Sequence, residues 1–299
     1  MESPSSIESQ SGSPLEYATP EELKRAKQGA AEFRQVFTTS GFFSRVLLRH
    51  SEASQELQSM FLGLKPIADL SLTGLERTKD TPLPSRLQTV GQVIYDEESV
   101  KETIAQNPEV FEDFGQFNSD LGKYLDDLIN RRHAFTFQAA PEDIKRIGLL
   151  YGFPKDAVFQ FAQHSQNRAH LVIWASQSVP SVLRPDNQYS PLAQATILHF
   201  AALNEKGKPV GSDYSSPFFA SHKQEVKDYL GQLFPTFGED DLDYFVESQP
   251  AKARGFGYAT GKITPETEKF PQKVEEIYER SGMNAFLKSS RFLISPPKD

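Results

Sequence analysis

Apolar residues recur at helical spacing over most of this chain, in blocks separated by Gly, Pro and short polar runs. Leu23, Ala26, Ala30, Phe33 and Phe37 repeat every three or four positions, which predicts a helix. Its start is marked by Thr19-Pro20-Glu21-Glu22: Thr19 and Glu22 have capping-box spacing and Pro20 takes the first helical position. After Ser40-Gly41 a second helix is predicted over 42–61, on Phe43, Val46, Leu47, Leu57 and Phe61. From Gly63 to Asp96 the period dissolves among Gly, Pro and Thr, and only GQVIYD reads as a short strand. The clearest block predicts one helix over 108–131, capped by Asn107 and opened by Pro108. Val110, Phe114, Phe117, Leu121, Tyr124, Leu125 and Leu128 form its apolar face, and Arg131-Arg132-His133 place cations at its negative end.

AFTF at 134–137 then reads as a short extended link. The stretch 141–178 predicts a short helix, a break at Gly152-Phe153-Pro154, and a long helix started by Pro154. A polar, proline-broken loop follows from Pro180 to Pro191. Further helices are predicted over 191–203, 218–233, 239–247 (Leu242, Phe245 and Val246 inward) and 265–281. Between the last two, QPAKARGFGYATGK reads as a basic, Gly-rich flexible loop. No repeat of 20 to 50 residues is visible. The fold class expected is mainly α: a helical bundle core over 19–283, with a possible subdivision near 180–190. A disordered N-terminal tail at 1–18 precedes it, because that Ser-, Pro- and Glu-rich segment buries too little apolar area to offset its ordering entropy. An extended C-terminal arm, 284–299, completes the chain.

Composition changes this picture in three ways. A net charge of −8 and 24% charged residues argue against a protein whose partners are chosen by bulk positive charge, although a local basic stripe is compatible with both. The absence of cysteine removes disulfides, thiol catalysis, zinc–thiolate sites and iron–sulfur clusters, and suits a reducing, cytosolic setting. No run of about 18 apolar residues occurs, so no membrane partner is expected.

The search for chemistry yields modest signals. Gly255–Lys262 has the look of a phosphate loop, but its glycine spacing fits neither a Walker loop nor a dinucleotide fingerprint. His164 and His170 lie six apart, hence on nearly opposite faces of one helix, and no HExxH or His-x-His occurs; neither metal nor cofactor is expected. No G-x-S-x-G elbow is present. The acids Glu239-Asp240-Asp241-Asp243 open a helix, where they complement its dipole. The cations are more suggestive. Arg131, Arg132 and His133 close one helix, Lys145 and Arg146 lie on the next, and His164, Arg168 and His170 on the third. If these helices pack as neighbours, their cations line one groove, with Phe135, Phe137, Phe161 and Trp174 nearby to stack bases, as single-stranded RNA binding requires.

IKRIGLLYGFPKDAVFQFA, at 144–162, resembles an element of the coat proteins of flexuous filamentous viruses of plants and fungi, the potexvirus-like group: a short helix, a Gly-apolar-Pro break, then a long apolar helix. Thr19-Pro-Glu-Glu-Leu also resembles openings seen there. The family carries, beyond this element, an Arg-aromatic segment and a Trp-Asn pair, where this chain has ATILHFAAL and SPFFASH. The resemblance implies a structural coat subunit of the virion, in the host-cell cytoplasm, that assembles helically with copies of itself around single-stranded RNA. Arg131, Arg132, Arg146, Arg168 and Arg184 are then the candidates for phosphate contact, by backbone rather than base recognition. On that reading the chain is not an enzyme. Two alternatives stay open: a non-catalytic helical effector or adaptor, and an enzyme whose site is assembled in space from residues such as Tyr151, Asp156, His164 and Arg168. The enzyme reading requires His164 to meet a carboxylate within hydrogen-bond reach in a pocket.

Overall fold

The computed structural model describes residues 17–39, 51–69, 83–118, 120–133, 140–202, 221–254 and 256–294; at 51–53, 132–133, 202, 249–252, 257–260 and 289–294 only the backbone is described. The chain is mainly α, as the periodicity predicts. Its long helix, α6 (Lys155–Val182), touches all the cores and can be taken as the axis. At ~1.5 Å per residue it is about 42 Å long.

The first core is built by α1 (Pro20–Thr39), α2 (Ser51–Phe61), α10 (Pro265–Arg280) and α11 (Met283–Ile294). The helix α1 starts where its capping box predicts: Thr19 N donates to Glu22 Oε2 at 2.8 Å, and Glu22 N to Thr19 Oγ1 at 3.2 Å. It buries Leu23, Ala26, Gly29, Ala30, Phe33 and Val36. Gly29 is the point of closest approach, where a Cβ would overlap the carbonyl oxygen of Phe61.

A small antiparallel sheet separates the first core from the second. Its order is β1 (Ile67–Asp69), β3 (Val93–Asp96), β2 (Leu87–Val90), with Ala68 opposite Ile94 and Thr89 opposite Ile94 from the other side. The strand expected in GQVIYD is therefore the central one, buried along its length. Arg86 pins this sheet to both α1 and α2: it pairs with Glu32 at 2.7 Å and with Asp96, and donates to Phe61 O at 3.3 Å.

The second core holds α3 (Glu97–Gln106), a 3₁₀ helix (Glu112–Phe117), α4 (Leu121–His133) and α5 (Pro141–Leu150). Here the expected single helix over 108–131 is corrected. Asp96 caps α3, its Oδ1 accepting from Ser99 N at 3.0 Å, a start the apolar pattern did not announce. The chain then breaks at Asn118, which has φ 50°, and Asp120 recaps α4 by accepting from Lys123 N at 3.1 Å. Val110, Leu121, Tyr124, Leu125 and Leu128 nevertheless enter one core, with Phe114 and Phe117 packed against it, because the 3₁₀ turn and α4 fold back on one another.

The break between α5 and α6 falls where the sequence places it. Gly152 has φ +71°, and a Cβ there would overlap the carbonyl oxygen of Leu64. Phe153 then packs into both cores, beside Lys65, whose side chain is 1% exposed. The ammonium of Lys65 meets Glu56 at 2.8 Å and lies 4.6 Å from the Phe256 ring centre, within 6 Å of the rings of Tyr151 and Phe153.

The third core forms on the distal half of α6, under α7 (Pro191–Ala202), α8 (Lys223–Leu233) and α9 (Glu239–Glu247). Helix α6 runs through Pro180 rather than ending before it, so the expected loop shortens to 183–190. The expected flexible loop at 249–262 is largely a hairpin of β4 (Gln249–Ala253) and β5 (Phe256–Thr260), packed against α6 and α10. The extended arm expected after Asn284 begins as α11 instead; residues 295–299, like 1–16, the 42–50 part of the second expected helix, 134–139 and 203–220, lie outside the described residues.

Candidate functional site

Of the five arginines proposed for phosphate contact, two come together, and they do so around acids. Arg131 reaches Asp127 (Nε to Oδ2, 2.8 Å), Asp143 (3.3 Å) and Asp113 (3.5 Å). Arg146 donates to Asp143 at 2.8 Å and to the carbonyl of Val110 at 2.9 Å, and pairs with Asp113 at 3.3 Å. Tyr124 closes the network by donating to Asp113 at 3.2 Å. Burial, with the charge of Asp113 beside it, pushes that phenol well above its ordinary pKa. These guanidiniums are internally neutralised, so a phosphate would have to displace carboxylates to reach them. The side chain of Arg132 lies outside the described residues. Arg184 is exposed in the turn beyond α6. Arg168 lies about 20 Å along α6 from its start, and among the described residues it forms no ion pair or hydrogen bond with the acids that hold Arg131 and Arg146. Arg131 and Arg146 are therefore committed to acids of their own part of the fold rather than presented as free cations.

A second polar grouping lies where α9 meets α6. Asp241, third residue of α9, has Oδ2 accepting from Gly238 N at 3.2 Å, which caps the helix, and from Asn167 Nδ2 at 2.8 Å. Its Oδ1 meets Nδ1 of His164 at 2.7 Å. A carboxylate only accepts, so Nδ1 carries a proton, and the tautomer that this contact selects has Nε2 as its acceptor. His164 is 7% exposed and stacks on Tyr244 of α9, ring centres 4.5 Å apart and planes 20° apart. Among the described residues Nε2 has no hydrogen-bond partner.

Next to this pair opens a polar cleft of ≈ 550 Å³, lined by His164, Gln163 and Asn167 of α6, by Gly238, and by Glu239, Asp240, Asp241 and Asp243 of α9. Lys227 of α8 bridges two of the acids, at 3.2 Å from Glu239 and 2.5 Å from Asp243; the hydrogen bond it donates to Asp243 leads the interactions that raise its pKa. One turn before His164, Gln160 fixes the exit of the hairpin: its Oε1 accepts from the backbone N of Gly261 (3.1 Å) and Lys262 (2.9 Å). Gly261 in turn abuts the Tyr244 ring. The imidazole is thus held by α9 through Asp241 and Tyr244, and Tyr244 by the hairpin.

Of the residues proposed for a spatially assembled site, His164 and Arg168 are on this part of α6. Tyr151 is elsewhere, donating to Asp69 at 3.1 Å, and Asp156 opens α6, its backbone N donating to Glu266. The carboxylate that meets His164 is Asp241, read from sequence as a solvated helix start. The available signal was the i, i+3 pair His164 and Asn167 on one face of α6, which a single acceptor can bridge. Among the described residues no group of three or more metal-ligating side chains occurs, and no helix is long and apolar enough to cross a membrane.

No protein-family model, curated protein or solved structure matches this chain.

Proposed function

We propose that this chain acts through the α6–α9 cleft as an acid–base catalyst, with His164 as proton acceptor and Asp241 as the group that orients it. The observation that carries this reading is the 2.7 Å contact between Nδ1 of His164, a residue that lines the cleft, and Asp241, with Nε2 left without a partner among the described residues. A ring held in this way has one tautomer and one direction, which is what proton abstraction requires. The cleft offers no Ser, Thr or Tyr hydroxyl among its lining residues, so the proton comes from water or from the substrate. Its acidic wall favours a neutral or cationic polar substrate over an anionic one. Carbethoxylation, mapped by mass spectrometry, tests access to Nε2: His164 is expected to react in the native chain despite its burial. A panel of ester and glycoside substrates then tests the chemistry, with His164→Gln expected to lose about 10²–10⁴-fold in rate. A His164 that reacts only in denaturant would sink the reading.

A second reading is the coat subunit that the break at Gly152–Pro154 resembles, assembling helically with itself in a virion in the host cytoplasm. One observation favours its assembly half. Helix α7 is apolar on nearly all sides, with Leu198 42% exposed; Leu183, just beyond α6, is 68% exposed. The RNA-contact half has less support, since Arg131 and Arg146 are held by acids. Filaments seen by negative-stain microscopy only when single-stranded RNA is added would favour this reading over the first.

A further inference from the structure

Four carboxylates of α9 line the cleft, and they are engaged to different degrees. At ~100° per residue, Glu239 and Asp243 share one side of the helix, Asp241 takes the opposite side, and Asp240 falls between. The first pair is closed by a single ammonium, that of Lys227 from α8, at 3.2 and 2.5 Å. Asp241 is closed by three donors, from Gly238 N, Asn167 and His164. Asp240, the exposed acid between them, forms neither a hydrogen bond nor an ion pair among the described residues. None of the described residues that line the cleft is a lysine or an arginine.

An exposed acid by itself calls for no ligand; the second observation comes from α6. His164 is 7% exposed, with Asp241 on its Nδ1 and Tyr244 stacked against its ring. Its Nε2 has no hydrogen-bond partner among the described residues. Yet the fully buried side-chain atoms without a partner there are the Nε of Arg34 and the Tyr244 hydroxyl alone. Nε2 therefore keeps an opening to solvent, on a residue that lines the cleft. The cleft thus sets an open neutral acceptor beside a wall of anionic ones, with no cation among its lining residues to match them. A group that brings both N–H donors and positive charge satisfies both kinds. Lys227 shows which cation this wall accepts: a primary ammonium, a compact charge with three donors, already meets two of the acids at once.

We infer that the α6–α9 cleft takes a ligand bearing a primary ammonium group, seated at Asp240 between the acids held by Lys227 and the one held by His164. The inference rests on the reading of this cleft as the site of action, and adds the charge class of what enters it; it does not require His164 to accept a proton. Lys227 then tunes the affinity, because it occupies two of the acids that a ligand would otherwise use. A free alkylamine and the lysine side chain of a peptide offer the same group, and the test separates them.

Proton NMR of the full chain tests this, following the His164 ring resonances, which are identified by their loss in His164→Gln. The probes are n-butylammonium and Nα-acetyl-lysine amide, with potassium and tetramethylammonium as references, all as chlorides at one ionic strength. Tetramethylammonium carries the charge without an N–H, so it separates a seat from screening of the acidic wall. A saturable shift is expected with at least one ammonium probe and none beyond potassium with tetramethylammonium; the tighter probe tells a free amine from a peptide lysine. Asp240→Asn alters an exposed carboxylate that has no partner, so it should fold as the parent does while weakening the dissociation constant about threefold. Lys227→Met frees Glu239 and Asp243 and should tighten it about threefold, whereas mere loosening of α9 would weaken it. Equal affinities in Asp240→Asn and the parent, an equal response to tetramethylammonium, or no response to either amine beyond potassium would overturn the assignment. Amine binding by a chain whose His164 reacts with the carbethoxylating reagent only in denaturant would keep this inference and remove the catalytic one. A reactive His164 with no amine response would do the reverse.

Discussion

Replacing Gly29 by Ala reverses a familiar sign. In an ordinary helix interior the change stabilises by about 1 kcal/mol, since Gly pays more backbone entropy than Ala. Gly29 sits inside α1 against the last turn of α2, where the new methyl would overlap the carbonyl oxygen of Phe61 and lie 2.6 Å from its carbonyl carbon. Both are backbone atoms of a helix end, so relief requires moving α1 off α2. Overpacking of this kind costs about 1–3 kcal/mol. The same carbonyl accepts from Nη2 of Arg86 at 3.3 Å, and losing a hydrogen bond from a charged donor costs about 1.5–3 kcal/mol more. Set against the propensity gain, Gly29→Ala should destabilise by about 2–5 kcal/mol. Urea unfolding followed by far-ultraviolet dichroism measures it, with Gly122→Ala as the control. At Gly122, in the first turn of α4, a methyl would meet only side-chain oxygens at 3.6 and 3.8 Å, so that variant should be neutral or gain a few tenths of a kcal/mol. If both variants shift the midpoint upward together, the close approach of α1 to α2 is wrong.

Two further outcomes follow from the ion pairs. Glu22 and Glu276 are each raised by burial, but this is outweighed by hydrogen bonds, from Lys273 and Thr19 to Glu22 and from Arg280 and the amides of Ala18 and Tyr17 to Glu276; both folded values therefore lie below the ordinary 4.5. The stability they contribute is fully present above pH 4.5 and lost as pH falls through the folded values; amide exchange at residues 17–23 should accelerate there first, and Glu276→Gln should flatten that acid limb. Arg146→Met removes one of the two cations, Arg131 being the other, that Asp113 and Asp143 share in a part-buried site and should cost about 3 kcal/mol in urea unfolding, while leaving retention on single-stranded RNA at low salt unchanged; a stable variant that loses RNA would reverse the assignment of Arg146 to the fold.

The elements that were legible in the chain are those whose signals are local. The capping box at Thr19, the Gly-Phe-Pro break and the apolar stripe of α9 all act within one turn, and each falls where the pattern puts it. What escaped was set by polar residues acting against the pattern. Asn118 and Asp120 break a stripe of apolar positions that, read by period alone, continues from Val110 to Leu128. Asp96 starts α3 in a segment with few apolar residues to reveal it. The hairpin over 249–260 was hidden because its glycines and lysine look like a loop, whereas pairing within the hairpin and contact with α6 and α10 order it. At the candidate site, His164 and Arg168 could be named from sequence but their environments could not. The partner of His164 is 77 residues away, and what sets Arg168 apart, the lack of an acid, is a property of packing alone.

Lys65 carries a consequence of its own. It is the only buried lysine among the described residues, and its amine is walled by Glu56 and three aromatic rings contributed by the α5–α6 break and β5. An electrophile in solution can acylate it only after those rings have drawn apart. The rate at which Lys65 becomes modified, relative to the exposed lysines of α1, is therefore a built-in clock for the parting of the first two cores, readable by peptide mass without any engineered label.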